Sequence, residues 1–232
     1  MTINKAMILA AGFGKRMRPL TEKVPKPLIK VGPKNLLERS IEMLIKIGID
    51  ELVINTHYLS QEIDNFLKNK NYGISITLIK EEELLDTGGG ILNATKKFEN
   101  NPFFVLNPDT IWNKNYYEEL KILENSYLEK NKPILLLVDK TNSHDKSFQG
   151  DFNFIENYHI TRGTNNQYIF TGAQIINRSI FDGVKKKFFS MNEVWDQMVK
   201  EKKLLGQESN QTFFHVNNIK VYEELNKLKF ID

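Results

Sequence analysis

The string Leu9-Ala10-Ala11-Gly12-Phe13-Gly14-Lys15-Arg16-Met17-Arg18-Pro19-Leu20-Thr21, followed by Pro25-Lys26-Pro27-Leu28, is the part of the chain best equipped for chemistry. A turn of alanine and glycine lets main-chain N–H groups approach a polyphosphate closely, because no side chain stands between them. Arg16 and Lys26, ten residues apart, add fixed positive charge where a phosphoryl group and its pyrophosphate leaving group would sit. The combination points to nucleotide chemistry at phosphorus. Two better-known glycine loops are excluded. In a GxGxxG pattern the third glycine position is Met17, and no acidic residue closes a short second strand, where the chain reads Pro27-Leu28-Ile29-Lys30. The GxxxxGK[ST] pattern is absent as well.

Ligands of open α/β sheets bind beyond the carboxyl ends of the strands, and three further strand ends carry unusual residues. One is followed by Lys80-Glu81-Glu82-Glu83-Leu84-Leu85-Asp86-Thr87-Gly88-Gly89-Gly90, one by Asn107-Pro108-Asp109, and a late one holds His215. Three glycines before a helix would cost roughly 1 kcal/mol each as helical residues. They form either a flexible turn or a close main-chain approach to a sugar or nucleobase, with helix-start N–H groups free for anions. Glu81, Glu82 or Glu83 could accept from guanine N1–H and N2–H₂, or from uracil N3–H. Asp109 ends an apolar run, where an aspartate is either a turn former or a charged group set at a strand end for function. Gly172 is either a strand bulge or part of a pocket. His57, with Tyr58, either is structural or lines a nucleotide edge. His144 and His159 read as structural or exposed, and lysines 185–187 as a solvated helix end.

The elements that must position these residues alternate over the first two-thirds. Strands are expected at Lys5–Ala10, Glu51–Asn55, Ile74–Ile79, Phe103–Leu106 and Pro133–Val138. Helices are expected at Leu36–Ile47, closed by Gly48, and at Gln61–Leu67, Gly90–Lys97 and Tyr116–Tyr127. Such βαβ alternation predicts a Rossmann-like, doubly wound, mostly parallel mixed sheet flanked by helices. The last third changes character: Phe152–Ile155, Tyr158–Thr161 and Tyr168–Ile176 read as a small antiparallel lobe. A helix at Glu193–Lys200, a strand at Thr212–Val216 and a helix at Val221–Leu228 follow. No Pro/Gly/Ser-rich linker interrupts the chain, so one domain is expected over 1–232, in two parts, 1–140 and 141–232, the second a substrate-side lobe.

Composition narrows the class. At 232 residues with 41% hydrophobic content, a sizeable core can be buried. Thirty-two basic and 29 acidic residues leave a net charge of +3, too balanced for nucleic acid or an anionic membrane as main partner. Without cysteine there are no disulfides or thiolate metal sites, which fits a cytoplasmic protein. No signal peptide and no apolar run of about 20 residues is visible.

The string 9–28 resembles the signature of the sugar-1-phosphate nucleotidylyltransferases, and similarity extends over most of the chain. Asp86-Thr87-Gly88-Gly89-Gly90 is similar to a block of the uridylyltransferases acting on N-acetylmuramate 1-phosphate and of some guanylyltransferases. Phe170 to Ile176 and Phe189 to Trp195 are similar to the family's sugar-side half. The resemblance implies transfer of a nucleoside monophosphate from an NTP to a sugar 1-phosphate, with a nucleotide-diphospho-sugar transferase fold. Arg16, Lys26 and Asp109 would be catalytic, and Leu9, Ala10, Ala11, Gly12, Phe13, Gly14, Lys15, Glu82 and Gly88 would bind the nucleotide. Asp86, Thr87, Gly89, Asn107, Gly172, Arg162 and Glu156 would bind the sugar, Arg162 standing in for the lysine of a Glu-Lys pair that many relatives place here. Asp109 would hold Mg²⁺, or Mn²⁺. His215 takes the place of a second metal-binding aspartate, and either ligates weakly, acts through water, or is a core residue. UTP with N-acetylmuramate 1-phosphate is the expected pair, and GTP with mannose or heptose 1-phosphate the alternative. A non-catalytic sugar-nucleotide sensor is the reading from another class. A monomer or homodimer is expected. So is a single-function enzyme, because the chain closes soon after its final helix and leaves no room for a β-helix or acyltransferase module.

Overall fold

A computed structural model describes residues 2–228. Seven strands form its main sheet: β1 Lys5–Leu9, β2 Glu51–Thr56, β3 Ser75–Lys80, β4 Phe103–Leu106, β5 Ile134–Asp139, β6 Tyr168–Ile176 and β7 Leu205–Ser209. Their spatial order is β7-β5-β6-β4-β1-β2-β3. All neighbours run parallel except β6, which is antiparallel to both β4 and β5. Successive side chains of a strand face opposite ways, and β1 shows the result. Ala6 and Ile8 join the core under helices α1 (Leu36–Ile47) and α4 (Tyr116–Lys130). Met7 joins the core under α3 (Asp86–Ala94) and α5 (Met191–Lys200). Helix α2, Ser60–Lys68, adds Ile63 to the first layer, and α6, Ile219–Lys227, caps a third cluster with Val221 and Leu225.

Local chemistry sets the helix ends. Asn35 Oδ1 accepts the Glu38 N–H at 2.8 Å to start α1, and Gly48 (φ 103°) donates to Ile45 O to end it. Ser190 and Asn218 cap α5 and α6 in the same way.

Four elements differ from expectation. The three glycines lie inside α3 rather than ahead of it. Tyr168–Ile176 joins the main sheet, so the antiparallel lobe shrinks to the two-residue pairing of Asn153–Phe154 with Ile160–Thr161. Thr212–Val216 forms isolated bridges, Ser143 to Phe213 and Thr110 to His215, instead of a strand. Leu205–Ser209, unmarked by any alternation, is the edge strand β7. Among the described residues no helix is long and apolar enough to cross a membrane.

Candidate active site

β1 ends at Leu9 and the chain turns immediately. The Ala10 N–H donates to Asn55 Oδ1 at 3.0 Å, which fixes where the loop leaves the sheet. Gly14 (φ 61°) is required twice over. Its conformation is left-handed, and a Cβ there would lie 2.9 Å from Thr21 Cγ2 and 3.1 Å from Lys26 Cβ. Thr21 Oγ1 donates to Gly14 O at 2.9 Å, and buried Met17 anchors the short turn Lys15–Met17. The loop is thereby folded back on the turn Lys26–Leu28. Arg16 and Lys26 then face one cavity of about 350 Å³, within the range of small-molecule sites.

Further lining comes from the segment after β4. Asp109 Oδ2 lies 2.6 Å from Lys26 Nζ and 3.2 Å from His215 Nε2. Main-chain bonds align these partners: Ile111 N–H donates to Phe214 O and Val216 N–H to Asp109 O, both at 2.8 Å. Burial pushes the Asp109 carboxyl up, but the Lys26 charge and His215 overcome this and hold it well below the usual carboxylate range. The side chains of Lys26 and Asp109 are only 14% and 21% exposed, so the pair is screened less than a surface ion pair. Arg16 is exposed and makes no ion pair among the described residues.

Asp109 Oδ1 is buried without a hydrogen-bond partner among the described residues. Such an orphan oxygen fits a cation. Among the described residues no group of three or more His, Cys, Asp or Glu could enclose a metal. The arrangement suits Mg²⁺, which commonly takes one or two carboxylates and completes its shell with substrate phosphates and water. His215 does not line the cavity; its Nε2 is turned onto Asp109, so it fits a partner of that carboxylate better than a second ligand.

Of the residues singled out in the sequence, Leu9, Ala10, Ala11, Gly12, Gly14, Lys15, Arg16, Lys26, Asp86, Thr87, Asn107 and Asp109 line this cavity. Phe13 does not: its ring meets His57 edge-on at 5.5 Å and Tyr58 at 5.6 Å, with Lys15 Nζ 5.3 Å from its centre. Gly88 and Gly89 are turned to the 187–189 segment, where a Cβ would meet Phe189 Cε2 at 2.4 Å and Lys187 O at 2.1 Å. Gly172 is the bulge between Phe170 and Gln174 in β6, and packs behind Asn107, whose N–H donates to its carbonyl at 2.8 Å. Glu82 is exposed, and Glu81 is the buried member of its triplet.

Arg162 is committed elsewhere. It donates to Asp196 Oδ1 at 2.8 Å and Asn192 Oδ1 at 2.6 Å, over the Phe152 ring. Glu156 is exposed in a turn and lines no part of the cavity. Sequence reasoning missed Asn55 and Asn217, both of which line it. The position of Asn55 at the carboxyl end of β2 was the available signal.

Residues 5–150 match the nucleotidyl transferase family. The chain belongs to that family. This member is 33% identical over 199 residues to a probable mannose-1-phosphate guanylyltransferase 1 of Oryza sativa subsp. japonica, covering 79% of this chain and 52% of that one. The chain thus spans about half the length of that relative. It is 32% identical over 185 residues to the N-acetylmuramate alpha-1-phosphate uridylyltransferase of Neisseria meningitidis serogroup B, covering 78% of each. Two solved structures share the fold. A UDP-glucose pyrophosphorylase complexed with UDP-glucose superposes with a TM-score of 0.79 at 16% identity, over 97% of both chains. HddC from Yersinia pseudotuberculosis, complexed with GMP-PN, gives 0.76 at 22%, over 98% of this chain and 99% of that one.

Proposed function

We propose that this chain transfers a nucleoside monophosphate from an NTP to a sugar 1-phosphate and releases pyrophosphate. The observation that carries this is the convergence of Arg16, Lys26 and Asp109 on one cavity at the carboxyl ends of β1 and β4. An oxygen of the sugar phosphate attacks the α-phosphorus, and the bond from that phosphorus to pyrophosphate breaks in line. The nucleophile is already anionic, so positioning and charge supply the rate and no strong base is needed. The 9–16 loop offers its main chain to the triphosphate, and Arg16, without an ion pair among the described residues, neutralises the departing end. Lys26 passes from Asp109 to the α-phosphate and holds the two anions together. Asp109, through its unpartnered Oδ1, would hold Mg²⁺, which supplies further charge neutralisation at the phosphates when bound. His215 keeps Asp109 oriented.

UTP with N-acetylmuramate 1-phosphate is the preferred pair, supported by the Neisseria relative, which matches this chain over an equal share of both. GTP with mannose or heptose 1-phosphate is the second reading, supported by the identity to the rice guanylyltransferase. Pyrophosphate release with Mg²⁺, crossing UTP, GTP, CTP and dTTP against N-acetylmuramate, N-acetylglucosamine, glucose, mannose and heptose 1-phosphates, tests both. One productive pair supports the transferase and names its substrates. Nucleotide binding with silence across the grid, in Mg²⁺ and in Mn²⁺, contradicts it.

A further inference from the structure

We infer that Asn55 and Glu81 are positioning residues that tie the two walls of the cavity together through a chain of three hydrogen bonds. The inference rests on the nucleotidyl-transfer reading of that cavity. Asn55 Oδ1 accepts the Ala10 N–H at 3.0 Å, at the start of the phosphate-side loop. Asn55 Nδ2 donates to Glu81 Oε1 at 2.7 Å, and Glu81 Oε2 accepts the Leu85 N–H at 3.1 Å, one residue before α3 begins. Ala10 and Ala11 line one side of the cavity, and Leu84, Asp86 and Thr87 line the other.

Asn55 and Glu81 are 2% and 3% exposed, so each of these bonds is expensive to lose. Each side-chain oxygen and nitrogen of Asn55 and Glu81 has a partner within the chain. The network also accounts for a glycine that no ligand contact explains. A Cβ on Gly90 would lie 2.8 Å from Asn55 Nδ2 and 2.9 Å from Glu81 Oε1, so the helix comes this close only because that side chain is absent. His57 Nδ1 extends the cluster, 2.8 Å from the Glu81 carbonyl oxygen.

The polarity of the chain can be reversed without changing its shape. Asn55→Asp alone sets two carboxyl groups face to face. Glu81→Gln alone turns an amide N–H₂ onto a donor at one of its two contacts. In Asn55→Asp/Glu81→Gln the introduced amide donates to the introduced carboxylate and accepts the Leu85 N–H, while the other carboxylate oxygen accepts the Ala10 N–H. All three bonds return.

The test is the affinity for UTP and for GTP by titration calorimetry, with kcat/KM for the productive sugar phosphate, in the wild type and these three variants. Each single variant is expected to lose on the order of tenfold in nucleotide affinity, and the double variant to return to within about threefold of wild type. If a single variant does not fold, the double variant carries the test alone: it must fold and bind as the wild type does. A double variant no better than the worse single overturns the inference. So do single variants that bind nucleotide normally and lose only melting temperature. A wild type that binds neither nucleotide removes the transfer reading and this inference together. A wild type that turns over, with no rescue in the double variant, removes this inference only.

Discussion

Lys26 and Asp109 hold each other at 2.6 Å in the cavity that Arg16 faces, and His215 Nε2 meets the same carboxylate at 3.2 Å. On the proposed transfer reading, Lys26→Ala removes a charge clamp on the phosphates and should raise the barrier by about 2–4 kcal/mol, a loss of roughly 30- to 1,000-fold in turnover. Circular dichroism should show the fold unchanged. The sign of the acid dependence follows from Asp109. Its folded-state value is depressed, so the unfolded chain binds the proton more readily and stability rises with pH through that interval. The contribution is complete above the unfolded carboxylate value, about pH 4, and disappears as pH falls through the lower folded one. Denaturant unfolding of wild type and Asp109→Asn should therefore differ at pH 7, with the gap closing in strong acid. These charged residues were legible because each stands beside a strand end or a small-residue turn in the sequence itself. Asn55 and Arg162 were not. The contacts of the first span 45 and 26 residues, and the partners of the second, Asp196 and Asn192, arrive from α5.

α3 runs against its own propensities. Three glycines in nine residues weaken a helix, yet each clears a neighbour that a methyl group would strike. Gly89→Ala adds a Cβ 2.1 Å from the Lys187 carbonyl oxygen, and overpacking of this kind costs about 1–3 kcal/mol. Gly12→Ala meets nothing within 4 Å and should stay within about 0.5 kcal/mol of wild type. Thermal melts of the two variants check the contrast; equal melting temperatures would show that the 187–189 segment moves aside freely. The glycines read as a ligand contact in sequence because a glycine run records a close approach without saying to what. β7 was missed for a related reason. Its apolar content is slight, and Gly206 is there because a Cβ would meet Ile160, Leu137 and Phe154 at 2.6–2.8 Å. By contrast α1 carried its own boundaries, in the Asn35 cap and Gly48, and the expected span is the observed one.

Across the whole molecule, antiparallel β6 joins what read as two parts. It lies between β4 and β5, so the strand that leads to Asp109 is bonded to one from the last third. The 213–217 segment then returns to place His215 beside that carboxylate and Asn217 on the same cavity. Alternation along the chain made β1 to β5 legible, but no local pattern marks which strand a late segment will join. Arg162 lies outside the cavity, bonded to Asn192 and Asp196 of α5. Metal dependence belongs at this scale too: with no group of three or more acidic or histidine side chains among the described residues to enclose it, Mg²⁺ should bind weakly alone and tightly with nucleotide. Titration of Mg²⁺ with and without NTP checks this, and EDTA should abolish turnover reversibly. The measurement that bears hardest on the proposed site is the initial rate of pyrophosphate release on the productive pair, compared among wild type, Lys26→Ala and Arg162→Ala. Turnover lost in Lys26→Ala and kept within about threefold in Arg162→Ala is the expected result. Turnover kept in Lys26→Ala, or lost only with Arg162, would place the chemistry elsewhere.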